Sequence, residues 1–116
     1  MPRGTGSTPN FQSALTDTAV LVKTGKVSLT GFFQYNSGNA AAYIRFFDAA
    51  AASDVSLGTT ACNYAVGAAA TNYSQGQFCR PIQFTSGMVV AACTDVVTAN
   101  HTAPNATQIV TLALGD

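Results

Sequence analysis

The chain has 116 residues, 47% of them hydrophobic, with five Lys or Arg, five Asp, no Glu and a single histidine, His101. This length fits one domain with one core, and the apolar content excludes an intrinsically disordered chain. So few titratable side chains argue against an enzyme, and the scattered, balanced charges argue against binding to DNA or RNA.

The N-terminal residues 1–14 mix Gly, Ser, Thr, Pro and Asn around one large apolar side chain, Phe11. This composition buries too little surface to order itself, so we predict a flexible arm over 1–14 and a sandwich domain over 15–116. The arm is either a frayed terminus or a segment that orders against a neighbouring subunit. Because no segment has the apolar length of a signal peptide or a membrane span, we expect synthesis in the cytoplasm and no membrane partner.

Short runs rich in β-branched and aromatic residues follow, separated by clusters of Gly, Asn, Ser and Pro. Such runs predict antiparallel strands, and the long small-residue connections 48–61 and 67–76 favour a jelly-roll or Greek-key path over a simple meander. The first connection has room for at most one helical turn. The predicted fold class is all-β, a single antiparallel β-sandwich with an extended N-terminal arm. The predicted strands span 18–23, 26–35, 41–47, 62–66, 78–84, 88–93 and 108–114.

The strands 26–35 and 41–47 are predicted to form a hairpin through the turn residues between them, with Tyr35 opposite Ala40. This register gives the sheet two apolar faces, whereas a sheet with one face in water alternates apolar and polar residues. We therefore expect the second face to be covered, either by a loop of the same chain or by another subunit. The first face carries Val27, Leu29, Phe33, Ile44 and Phe46, and the second carries Phe32, Tyr43, Arg45 and Phe47.

A second hairpin is predicted at Thr85–Gly87, a three-residue loop with its glycine in the left-handed conformation. This register places Cys79 directly opposite Cys93, where Cα atoms about 4.5 to 5.5 Å apart can be joined by a disulfide. The alternative is a two-residue loop, which places Cys79 opposite Thr94. Pro81 has no N–H to donate and indicates an edge or a bulge on the other side of its strand.

No catalytic constellation is recognisable. His101 stands in a polar loop without a G-x-S-x-G elbow and is interpreted as a solvated loop residue. Asp48 and Asp54 are the only close pair of carboxylates, and both stand where strand-end and turn residues belong. Three cysteines without C-x-x-C spacing do not match a zinc site. We expect no catalytic residues, no cofactor and no metal.

Three stretches, 22–50, 55–66 and 76–94, resemble the small β-sandwich proteins encoded among the virion genes of tailed bacteriophages. The shared motifs are a K-T-G turn, an N-x-G turn before an aromatic-rich strand that ends in Asp, and a hairpin of the F-x-x-G-[IL]-x-F-x-[ST]-G type. The resemblance covers the chain from about residue 19 to 114. The sequence departs from the pattern at Arg80 and Pro81, where Gly is preferred, and in having cysteines.

The resemblance implies a capsid decoration, or cement, protein. Such a protein is a non-enzymatic virion subunit that binds the outer shell and stabilises it by bridging neighbouring capsid proteins. The implied partners are the major capsid protein and further copies of the chain, as a trimer or dimer on the outer surface of the virion. A subunit interface is then expected at Phe32, Tyr43, Arg45 and Phe47, and a capsid-binding arm at Arg3 and Phe11.

The alternative function is a carbohydrate-binding or receptor-binding β-sandwich module of a phage tail or baseplate. Exposed aromatic side chains of such a module stack on sugar rings. The candidates for this role are Tyr43, Tyr64 and Tyr73.

Overall fold

The computed structural model describes residues 10–115, which form eight strands and one 3₁₀ turn, Ala52–Asp54. The strands are β1 (Asn10–Leu15), β2 (Val20–Thr24), β3 (Val27–Asn36), β4 (Ala42–Asp48), β5 (Tyr64–Ala68), β6 (Asn72–Phe84), β7 (Gly87–Cys93) and β8 (Gln108–Gly115). Sheet A has the strand order β1-β8-β3-β6, and sheet B has the order β2-β7-β4-β5. This is the arrangement of an eight-stranded jelly roll, and it confirms the predicted all-β sandwich. Within residues 10–115, no helix is long and apolar enough to cross a membrane.

The core lies between the two sheets and is built from alternate positions of their strands. Leu29 and Leu112 of sheet A and Ile44 and Val90 of sheet B have no exposed surface. Each such side chain stabilises the fold by about 1.5 to 3 kcal/mol relative to an exposed one. All seven residues of β7 are buried, as expected for a central strand that is covered on both faces.

Both predicted hairpins are wrong, because the chain changes sheets between the strands concerned. β3 belongs to sheet A and β4 to sheet B, and β6 and β7 are divided in the same way. Among the strands of residues 10–115, only β4 and β5 are neighbours in both sequence and space. Turn residues specify that the chain reverses direction, but they do not specify which sheet receives the next strand.

The crossing from β6 to β7 is held by the carboxylate of Asp48 at the end of β4. This carboxylate accepts hydrogen bonds from the backbone N–H of Thr85 at 3.1 Å, the Thr85 hydroxyl at 3.1 Å and the backbone N–H of Ser86 at 2.8 Å. Gly87 follows with φ of +152°, a positive value that favours glycine, and an added Cβ would lie 2.6 Å from the carbonyl oxygen of Lys23. Asp48 is therefore a turn-stabilising residue.

We expect Asp48 to make the fold sensitive to acid. Partial burial by itself raises the pKa of this carboxyl group, but the hydrogen bonds from Thr85, Ser86 and Gly87 outweigh burial and hold its pKa below the ordinary value. A group with a lowered folded-state pKa stabilises the fold above its unfolded pKa, and this contribution is lost as the pH falls through the folded pKa. Urea unfolding of wild type and Asp48→Asn should show a stability difference that shrinks in acid. A difference that is the same at neutral and acid pH would contradict this role.

The ordered domain begins earlier than predicted. Asn10–Leu15 form β1, which pairs with β8 without a register shift. Phe11 is half-buried and packs against the core, so it is not an exposed anchor of an arm. Residues 10–14 thus belong to the sandwich and not to the predicted arm, because they pair with β8 and because Phe11 and Leu15 of the same strand reach the core. Arg3 lies outside the described residues.

β6 extends over thirteen residues and begins inside a stretch that was predicted to be a loop. Its pairing with β3 shifts register after Leu29, where residues 78–81 stand opposite Thr30 alone. Pro81 lies in this bulge on an edge strand, which confirms the interpretation drawn from its missing N–H.

Candidate functional site

The outer face of sheet B is covered by loops of the same chain. Phe47, Val89 and Ala91 point away from the central core and pack against Val55 in a second hydrophobic cluster. Leu57 from the same connection adds to this cover. Of the two alternatives for the covered face, the structure therefore shows the loop of the same chain.

Arg45 fastens a second loop, residues 94–107, to this face. Its guanidinium is 1% exposed and donates hydrogen bonds to the backbone carbonyls of Asp95 at 2.9 Å, Val97 at 2.9 Å and Asn100. The carboxylate of Asp95 lies 3.3 Å from the same guanidinium and is partly exposed. The buried Arg45 guanidinium thus supplies these loop carbonyls with the hydrogen bonds that the N–H groups of a neighbouring strand would otherwise donate.

The structure contradicts the predicted subunit interface. Arg45 and Phe47 are sealed beneath the chain's own loops, and Phe32 turns inward, where its ring stacks on Phe78 at 6.0 Å. Tyr43 is half-buried, with its ring lying over Gly67 of β5. These four side chains do not form one surface, because β3 and β4 belong to different sheets.

The predicted disulfide is also absent. Cys79 is exposed on β6 in sheet A, whereas Cys93 is buried in β7 of sheet B and pairs with Tyr43 of β4. Both thiols are free, as is that of Cys62. Burial raises the pKa of the Cys93 thiol above its ordinary value, so this residue acts as a small core hydrophobe.

The outer face of sheet A is not covered by any loop of the described residues, and it exposes large apolar side chains. Tyr73 is 56% exposed, Ile109 48% and Tyr35 39%. Tyr35 pairs with Tyr73 on one side and with Ile109 on the other, so the three form one cross-strand row. We call this set, which Ala14 of β1 completes, the tyrosine row.

A groove runs beside the tyrosine row on the same face. Its volume is about 550 Å³, and its opening is wide. The floor of the groove carries no bulky side chain, because Gly31 stands opposite Ala113. A Cβ added at Gly31 would lie only 3.0 Å from the carbonyl oxygen of Gly76. The lining residues are Gly31, Phe32, Phe33, Gln75, Gly76, Gln77, Thr111 and Ala113.

The groove is uncharged, aromatic at one end and rich in amides along one side. The rings of Phe33 and Tyr73 stack with centroids 5.8 Å apart and an interplanar angle of 28°. Gln75 and Gln77 project from β6 and are exposed. Within β1, β3, β6 and β8, the only charged residue is Arg80, which lies in the β6 bulge.

The sequence prediction missed most of this site. Phe33 was assigned to the buried face, because the predicted hairpin did not contain the register shift after Leu29. Of the three tyrosines proposed to stack on sugars, only Tyr73 lies on the open face. Tyr64 packs among the aromatic rings of the core, and its ring centroid lies 5.6 Å from that of Phe78. The alternation of Tyr73, Gln75 and Gln77 was a usable signal for an outward-facing strand.

The remaining candidates for chemistry are dispersed. His101 is exposed in its loop and lies beside Gly58, as expected for a solvated loop residue. Within residues 10–115, no three His, Cys or Asp side chains lie together as metal ligands would.

Comparison with known proteins yields structural similarity alone. No protein-family model and no curated protein matches the sequence. A chain from Bacillus endospore appendages, described as a novel family of disulfide-linked pili, is 10% identical, with 99% of this chain and 93% of that chain covered and a TM-score of 0.44. The coat protein of Tobacco streak virus is 8% identical, with 96% and 89% covered and a TM-score of 0.38. Similarities at these TM-scores carry no argument about the fold or the function of this chain.

Proposed function

We propose that the chain is a non-enzymatic virion structural subunit, a capsid decoration or cement protein that binds the outer shell and bridges neighbouring capsid proteins. The observation that carries this proposal is the edge of β1, which has no second neighbouring strand among residues 10–115 and has the properties of a strand-addition site. The partners are the major capsid protein and further copies of this chain, and the location is the outer surface of the virion.

Three of the four sheet edges carry features that oppose pairing with another chain. β2 has a register shift between Leu21 and Lys23, and β6 bulges at Arg80 and Pro81. β5 is five residues long. Short edge strands, bulges, charged side chains and proline are the devices by which proteins prevent edge-to-edge association.

The β1 edge has none of these devices. Asn10–Leu15 contains no charged residue and no proline, and its pairing with β8 continues without a bulge over all six residues. Its outward N–H and C=O groups are therefore available to an extended segment of a neighbour, whose main chain would continue sheet A. A shell-protein segment held in this way would fix the subunit to the shell.

Proline substitution in β1 tests this proposal. Alternate residues of an edge strand direct their N–H groups toward the partner strand and away from it, so of Gln12→Pro and Ser13→Pro only one removes a β1–β8 hydrogen bond. We expect one variant to melt near the wild-type temperature but to lose binding to expanded capsids that lack the protein. The other variant should melt at a lower temperature and serves as the matched control.

Two measurements decide the outcome. Co-sedimentation with capsids reports binding, and the heat resistance of the decorated particles reports stabilisation. Wild-type protein that does not bind capsids would contradict the proposed function. A stable proline variant that binds as well as wild type would contradict docking through β1.

A further inference from the structure

We propose that the groove on the outer face of sheet A is a binding site for a neutral glycan. The proposal stands on the groove and the tyrosine row, and it does not depend on shell binding through the β1 edge. Docking at that edge continues the sheet sideways and leaves its outer face open.

The shape of the groove suits a chain of sugar rings. A volume of about 550 Å³ lies within the range of small-molecule sites, and the wide opening fits an extended polymer better than a compact, enclosed ligand. Gly31 and Ala113 keep the floor free of bulky side chains, so a ring can approach the backbone of the sheet.

The aromatic end of the groove supplies a stacking platform. Phe33 and Tyr73 hold each other in a stacked pair, and Tyr35 stands beside Tyr73 in the tyrosine row. The C–H groups on one face of a pyranose ring are apolar and pack on such rings. Because Tyr73 is more than half exposed, its ring can contact a ligand without any rearrangement of the core.

The amide side supplies hydrogen bonds that match hydroxyl groups. Gln75 and Gln77, which are exposed, and Thr111, which is half-buried, line the groove, and all three side chains both donate and accept. A sugar hydroxyl also donates and accepts, so each amide can bind one or two neighbouring hydroxyls. A phosphate or carboxylate ligand would need cations instead, and none lies among the lining residues.

The test uses cellohexaose, maltohexaose and mannohexaose as neutral probes and hexagalacturonate as the charged counterpart. Isothermal titration calorimetry should detect at least one neutral probe with Kd of about 1 mM or tighter. Tyr73→Ala should weaken that binding about tenfold, the loss that removal of one stacking ring produces. Gln75→Ala should weaken it several-fold.

Matched controls separate the groove from the rest of the surface. Gln83→Ala changes an exposed amide of the same strand beyond the bulge, and Val97→Ala changes an exposed apolar side chain on the far side of the molecule. Both should bind like wild type, and all four variants should melt near the wild-type temperature.

Three results would overturn the proposal. The first is that no neutral probe binds, and the second is that hexagalacturonate binds as tightly as the best neutral probe. The third is that the protein self-associates through this face, so that Tyr73→Ala changes the oligomeric state in sedimentation analysis and leaves glycan binding unchanged.

Discussion

Replacing Arg45 with alanine should destabilise the fold by about 3 kcal/mol and release the loop 94–107 from sheet B. The buried guanidinium is the shared donor for the backbone carbonyls of Asp95, Val97 and Asn100. Without it these acceptors have to open to water, and the loop opens with them. Urea unfolding measures the stability, and amide hydrogen exchange within 94–107 measures the opening.

The matched variants divide this effect between the hydrogen bonds and the ion pair. Asp95→Asn removes the charge of a partly exposed carboxylate, so it should cost no more than about 1 kcal/mol. Arg45→Lys keeps the charge but loses the planar guanidinium group. Its destabilisation should therefore lie between that of Asp95→Asn and that of Arg45→Ala. Equal destabilisation by Asp95→Asn and Arg45→Ala would show that the ion pair, and not the carbonyl contacts, holds the loop.

Local patterns were sufficient for the fold class. Short runs rich in β-branched, aromatic and other apolar residues correctly predicted β3, β4, β7 and β8. Two predicted long connections favoured a jelly roll over a meander, although the second, 67–76, is in fact the end of β5, a three-residue turn and the start of β6. These features depend on residues that are close in sequence, and they survive errors in strand pairing.

Strand pairing could not be predicted from the sequence, because a turn of the type Asn36–Asn39 can lead to either sheet. Sheets pack about 10 Å apart and strands within a sheet about 4.8 Å apart, so a short connection spans both distances. The expectations that named opposing residues therefore failed, including the Cys79–Cys93 disulfide and the four-residue interface that contained Arg45. The hydrogen-bond partners of Arg45 were unforeseen, because they are backbone carbonyls, which every sequence contains.

The candidate site was only partly predictable. The expectation of a covered second face is confirmed for β4 in sheet B, where Phe47 lies beneath a loop, and is wrong for β3 in sheet A, where Tyr35 is exposed. The register shift after Leu29 moves Phe33 from the expected core to the groove. A bulge of this kind inverts the assignment of all later residues in the strand.

The crossing from β3 to β4 depends on a buried chain of three amides, Asn36, Gln108 and Gln34. The side chain of Asn36 donates to the carbonyls of Ala40, Ala68 and Ala69 at 2.8 to 3.2 Å and accepts from the Gly38 backbone N–H at 3.0 Å. It also accepts from the Gln108 amide at 2.9 Å, which in turn accepts from Gln34 at 2.9 Å. This chain connects the two sheets where their connections converge.

We expect Asn36→Ala to destabilise the fold by about 3 to 4 kcal/mol, whereas Gln34→Leu should cost about 1 kcal/mol. Asn36 is 1% exposed and satisfies both of its polar atoms, so its removal leaves several buried acceptors and donors without partners. Gln34 already has a buried Oε1 without a partner, and leucine removes this cost together with the bonds of its Nε2. Equilibrium urea unfolding measures both. If Gln34→Leu proved as destabilising as Asn36→Ala, the amides would act as one cooperative network in which no member is dispensable.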